Sequence, residues 1–124
     1  RIISKREIQI EDPVIREKLG NIRFCSITFR LFKIQGLEDL CEDYGHIAVY
    51  KGGLAESPHS FKLDGGHIFE KNRPERVCGN TALMLSKTRF ADYFKVLGSF
   101  EEHFGLFPGC GNQDDFLEKD TPCC

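Results

Sequence analysis

The sequence predicts an α+β domain, with an antiparallel sheet of about four to six strands and two helices packed on it. Three observations lead there. Strand-like segments arrive in runs and do not alternate strictly with helices. Only two stretches carry helix signals with caps. No G-x-G-x-x-G turn joins a strand to a helix, which argues against a complete parallel nucleotide-binding fold.

The elements follow in chain order. Ile8 and Ile10 alternate with polar neighbours, as in a half-buried strand. Asp12 is suited to cap a helix, Pro13 to its first position and Gly20 to its stop, with Ile15 and Leu19 sharing one face. Residues 22–34 are rich in β-branched and aromatic side chains and form the strongest strand signal in the chain. Alternation puts Cys25, Ile27, Phe29 and Leu31 on one face, and Phe24, Thr28 and Phe32 on the other. With apolar groups on both faces, this strand is expected to be central.

An acidic loop from Gly36 to Gly45 surrounds Cys41 and is expected to be solvated. A strand is expected from His46 to Lys51, ending at the Gly52-Gly53 turn. Residues 61–63 and 67–69 flank Asp64-Gly65-Gly66 as a hairpin, in which Asp64 is a turn residue. Arg76 to Cys78 forms a further short strand. Asn80 is the expected cap of the second helix, whose stripe is Leu83, Met84, Phe90, Ala91 and Phe94. Strand-like content returns from Phe94 to Phe107, and a polar, mobile tail is expected over residues 108–124.

Composition narrows the functional classes. The 124 residues suit one domain, and the 40% hydrophobic and 29% charged fractions are those of a globular protein. A formal net charge of −2 leaves no basic footprint for nucleic acid. No run is long enough to span a membrane, and the first residues lack a secretory signal pattern. The absence of an initiator Met suits a fragment or processed product.

Chemistry is concentrated in six cysteines: 25, 41, 78, 110, 123 and 124. Eleven phenylalanines can build a core without staples, so free thiols in a reducing compartment, the cytoplasm, are expected. Packing is the ordinary fate of a buried thiol such as Cys25. Cys78, near a helix start, could gain acidity there, although packing is its simpler role. Thiolates are soft ligands that suit thiophilic centres such as trivalent arsenic. His46, His59, His67 and His103 lack ligand spacing and suit solvated or hydrogen-bonding roles. No P-loop, H-E-x-x-H or G-x-S-x-G occurs, and no catalytic residue is assigned.

The stretch Arg23-Phe-Cys-Ser-Ile-Thr-Phe-Arg-Leu-Phe-Lys33 resembles a signature of the arsenite S-adenosylmethionine methyltransferases. Leu37-Glu-Asp39, Glu42-Asp-Tyr-Gly45, Ala48-Val-Tyr-Lys-Gly-Gly53, Phe61-Lys-Leu-Asp64, Cys78-Gly-Asn-Thr-Ala82 and His103-Phe-Gly-Leu-Phe107 are similar to members of that family, as is the closing pair Cys123-Cys124. The resemblance implies that residues 1–107 are the C-terminal domain and 108–124 a Cys-containing tail. A Rossmann domain that binds S-adenosylmethionine is then expected upstream.

It further implies that Cys25 is a thiolate ligand of trivalent arsenic and that Cys123 and Cys124 form a tail dithiol. In relatives the strand cysteine varies in offset, and some carry it where Ile27 stands, on the same face. The implied reaction moves methyl groups from S-adenosylmethionine to arsenite or methylarsenite, as in arsenic detoxification. Thiol reductants such as glutathione or thioredoxin restore the protein, and the fragment alone is expected to be inactive. A stand-alone metalloid-binding or sensing module and a purely structural or dimerisation domain are the rival readings.

Overall fold

The computed structural model describes residues 1–109. The expected α+β composition is present, with every strand pairing antiparallel. The strands divide among three small sheets instead of joining into one. β1 (Ile2–Ile8) pairs with β2 (Phe24–Phe29). β3 (Ile47–Tyr50) lies between β6 (Pro74–Arg76) and β7 (Phe94–Leu97). β4 (Ser60–Lys62) and β5 (Ile68–Glu70) form the expected hairpin.

Helix α1 (Pro13–Leu19) begins and ends as its sequence requires. The Asp12 carboxylate accepts from the amides of Val14 and Ile15 at 2.8 and 3.1 Å, and Gly20 closes the other end. The helix buries none of its residues. Helix α2 (Gly79–Ser86) instead buries six, and Ala82 and Leu85 join the core. Its cap position is Cys78, which corrects the assignment of Asn80. The apolar stripe outlasts the helix. Thr88 Oγ1 donates to the Met84 carbonyl at 2.6 Å after the helix has ended, and Phe90 and Ala91 lead into a 3-10 turn, Ala91–Tyr93.

The core is aromatic. Tyr50, Phe61, Phe69, Phe90 and Phe94 gather around α2 and β3, with Phe94 within 5.1–5.4 Å of the rings of Tyr50, Phe69 and Phe61. Such tilted and edge-on pairs add to the burial of large rings. The Tyr50 hydroxyl donates to the Ser57 carbonyl at 2.7 Å, so a fully buried phenol keeps its polar tip satisfied.

The strand with the strongest pattern is the exception. Among the described residues β2 pairs only with β1, and it stops at Phe29, which corrects the expectation of a long central strand. Phe24, Ile27 and Phe29 are exposed. Beyond Phe29 the chain turns so that Phe32 packs on the core while Leu31 faces out. The β1–β2 ribbon is held to the core at a few points. Arg1 reaches Thr81 Oγ1 at 2.9 Å and Asp64 at 3.5 Å, and Arg30 donates to the carbonyls of Lys62 and Leu63.

Candidate functional site

Cysteine chemistry in the described residues falls in two places. Cys25 lies half-buried in β2, opposite Glu7 of β1, on the ribbon outside the core. It is disulfide-bonded, which corrects the expectation that all six cysteines are free thiols. The abundance of phenylalanine behind that expectation stabilises the core, not this ribbon. A two-stranded ribbon is marginal on its own, and a covalent tie is of most use there. Cys110, Cys123 and Cys124, and all but the first two residues of the expected 108–124 tail, lie outside the described residues.

The second place was not legible in the sequence. Cys78 is fully buried at the start of α2, with its sulfur 3.3 Å from Thr81 Oγ1. The loop of Cys41 is laced to the same helix end on both sides of that residue. The Asn80 amide donates to the carbonyls of Glu38 and Leu40 at 2.8 and 3.1 Å, and accepts from the Glu38 amide at 2.8 Å. One residue past Cys41, the Glu42 carbonyl accepts from Gly79 N–H at 2.9 Å. A Cβ at Gly79 would sit 3.0 Å from the Tyr44 ring, so glycine lets this loop approach. The Cys41 thiol thereby comes within hydrogen-bonding reach of Cys78.

Burial by itself would raise the pKa of Cys78. Hydrogen bonding to Thr81, the charge of Arg1 and the Cys41 thiol outweigh it, and the net shift is downward. The sequence allowed both packing and acidity at this position, and Cys78 has both. Cys41 is half-buried against this helix end, which corrects the expectation of a solvated loop. Asp43 is buried and accepts from Arg76 and from Gly45 N–H, Glu38 accepts from the Tyr44 hydroxyl at 2.6 Å, and Glu42 contacts His103 at 2.9 Å. The protein itself satisfies these carboxylates. Among the described residues, no group of three or more His, Cys, Asp or Glu is placed to hold a metal ion.

Asp64 is more than a turn residue. It is buried, accepts from the amides of Gly66 and His67, and lies 2.8 Å from His67 Nδ1. Burial would raise its pKa, but His67, the Gly66 amide and Arg1 together hold it below its ordinary value. His46 is also buried, contrary to a solvated role, and its Nδ1 has no hydrogen-bond partner. Burial lowers its pKa, with Asp43 opposing. A separate groove of about 380 Å³ lies between Arg30, Lys62, Arg89 and the rings of Phe61, Phe90 and Tyr93. It contains no thiol, so the soft-ligand chemistry lies elsewhere. No helix among the described residues is long and apolar enough to cross a membrane.

Comparison with known proteins places this geometry in context. Residues 45–120 match the family described as the arsenite methyltransferase C-terminal domain. The whole chain is 45% identical to an arsenite methyltransferase of Aquipseudomonas alcaligenes, of which it covers 37%. Over 76% of its length it is 31% identical to the arsenite methyltransferase of Mus musculus, covering 24% of that protein. A crystal structure of an arsenic(III) S-adenosylmethionine methyltransferase from Chlamydomonas reinhardtii superimposes with a TM-score of 0.79 at 45% identity. That match covers 86% of this chain and 36% of the algal one. The chain therefore spans from about a quarter to little more than a third of these longer relatives.

Proposed function

Because the chain belongs to the arsenite methyltransferase C-terminal domain family, we propose that it serves an enzyme that methylates trivalent arsenic, contributing a thiolate to the arsenic site. The observation that carries this reading is the 45% identity to a bacterial arsenite methyltransferase along the entire chain. S-adenosylmethionine, bound by the rest of the enzyme, would supply the methyl group. This domain alone is then inactive, and its part is to hold arsenic. A three-coordinate As(III) bound through sulfur keeps a lone pair that would attack the methyl carbon as the sulfonium sulfur leaves as a thioether.

Cys25 is the ligand proposed on this domain. As a disulfide it has no thiolate to offer, so ligation requires reduction first. Two equivalents of a thiol such as glutathione, or one thioredoxin dithiol, would open it and leave as disulfide. That requirement favours a reducing compartment such as the cytoplasm, and detoxification as the purpose. Cys123 and Cys124 would be an auxiliary dithiol of the tail. The exposed apolar side chains of α1 and β2 (Val14 and Ile15; Phe24, Ile27 and Phe29) suit surfaces covered by the upstream methyltransferase domain.

The test is titration of the reduced chain with arsenite, comparing the parent with Cys25→Ser and with Cys123→Ser/Cys124→Ser. Weaker binding on loss of Cys25 alone supports the strand ligand. If only the tail pair matters, the Cys25 assignment fails for this domain. Absence of binding in every version, the parent included, would leave the domain a structural part of the enzyme.

A further inference from the structure

We propose that the groove between Arg30, Lys62 and Arg89 is a binding site for a dianion of the phosphate class. Its volume of about 380 Å³ lies within the range that takes small ligands. The chain leaves its cations without counter-charges. Arg30 donates through one guanidinium nitrogen to the carbonyls of Lys62 and Leu63, at 3.0 and 2.6 Å. That anchors the group and leaves its other nitrogens without a partner among the described residues. Neither Arg89 nor Lys62 makes an ion pair among the described residues. In the described lining only Glu56 carries a carboxylate, so three positive charges face one negative. Asp64 is close enough for its charge to act on Arg30, but its oxygens already serve His67, the Gly66 amide and Arg1.

The two guanidinium groups share one buried ring. The Cζ of Arg30 lies 5.3 Å from the centre of Phe90 and that of Arg89 lies 5.0 Å from it. Arg30 is also 5.1 Å from the centre of Phe61, so it is positioned before any ligand arrives. Like charges so placed repel: burial lowers the pKa of Arg30 and the charge of Arg89 adds to it, with Asp64 opposing. A bound anion relieves that repulsion and gains charge-assisted hydrogen bonds from the unused nitrogens. Charge and shape then select the ligand. Three cations and one carboxylate leave two positive charges, which a dianion balances and a monocarboxylate does not. A phosphate group offers three acceptor oxygens, enough for all three cations, where a carboxylate offers two. The rings of Phe61, Phe90 and Tyr93 supply apolar wall beside the charge, so a small ester fits as well as the free ion.

The experiment titrates the full 124-residue chain with phenyl phosphate, inorganic phosphate and benzoate by calorimetry. The pH is held well above the second ionisation of the ester, at about 6, and salt at about 0.15 M screens diffuse surface attraction. One phenyl phosphate should bind per chain, with benzoate at least about tenfold weaker. Arg89→Gln, at an exposed position, should lower the affinity for phenyl phosphate by about tenfold or more. Lys95→Gln, an exposed cation of β7 outside the groove, should change it by less than about twofold. Circular dichroism verifies that each variant is folded. Tighter binding of phenyl phosphate identifies the ligand as an ester, and inorganic phosphate binding at least as tightly identifies it as the free ion. Absence of saturable binding by both phosphates overturns the proposal. So does binding that benzoate matches, that survives Arg89→Gln, or that Lys95→Gln weakens as much.

Discussion

The β1–α1–β2 ribbon and the block formed by β3, β6, β7, α2 and the β4–β5 hairpin have similar local grammar and opposite fates. Each has alternating strands and a short helix. The block buries its aromatic side chains on one another, whereas the ribbon leaves Phe24, Ile27 and Phe29 in the open and its helix buries nothing. Both regions carry a cysteine on an element boundary or strand. In the ribbon it is covalently tied, and in the block it is held among hydrogen-bond partners. The difference teaches that alternation reports which side chains could be buried, while neighbours decide which are.

Paired substitutions of one residue type test that difference most directly. Phe69 is 1% exposed and Phe29 58% exposed. Phe69→Ala should cost about 3–5 kcal/mol in urea denaturation, through lost burial and the cavity left behind. Phe29→Ala should cost less than about 1 kcal/mol. Equal losses would mean that the ribbon is buried in solution, and the contrast between the regions would break.

The seam between the regions is next in size. Asp64 holds the hairpin turn and also meets Arg1 from the ribbon, so Asp64→Asn should destabilise the fold by about 1–3 kcal/mol. Because its folded pKa is depressed, its contribution is present above the ordinary value of 3.8 and is lost as pH falls through the lower folded value. Denaturant midpoints measured across the acid range should therefore drop in the parent and drop less in Asp64→Asn. An identical acid slope in both would remove Asp64 from the seam.

The smallest effect is expected at the ribbon helix. Asp12→Ala removes two cap bonds and should cost about 0.5–2 kcal/mol of helix stability. Because α1 buries nothing, amide exchange should speed up within residues 13–19 and leave the core amides unchanged. Faster exchange in β3 or α2 would show that the two regions unfold as one.

Much of the fold was legible before any coordinates. The α1 caps, the 47–50 strand and the hairpin around Asp64 stand where local chemistry puts them, because a cap, a turn or an alternating strand is decided by residues a few positions apart. The helix start at Cys78 was missed because Asn80 has the right side chain for a cap and spends it on the carbonyls of a distant loop. The central position expected for β2 failed for a related reason: two apolar faces state a demand for cover, not its supply. The family was legible in the motif that runs through β2, and the comparisons bear it out over the whole chain.

The sequence by itself determined the α+β class, the antiparallel pairing, the caps of α1 and a family written in contiguous motifs. Tertiary structure alone decided that the strands divide among three sheets, that α2 and not α1 enters the core, and that Cys41 meets Cys78. Local patterns act through the backbone over a few residues, where sequence order and spatial order agree. A meeting of two thiols so far apart in the chain depends on loop closure, on the Asn80 clasp and on a glycine that admits Tyr44, and no periodicity records those.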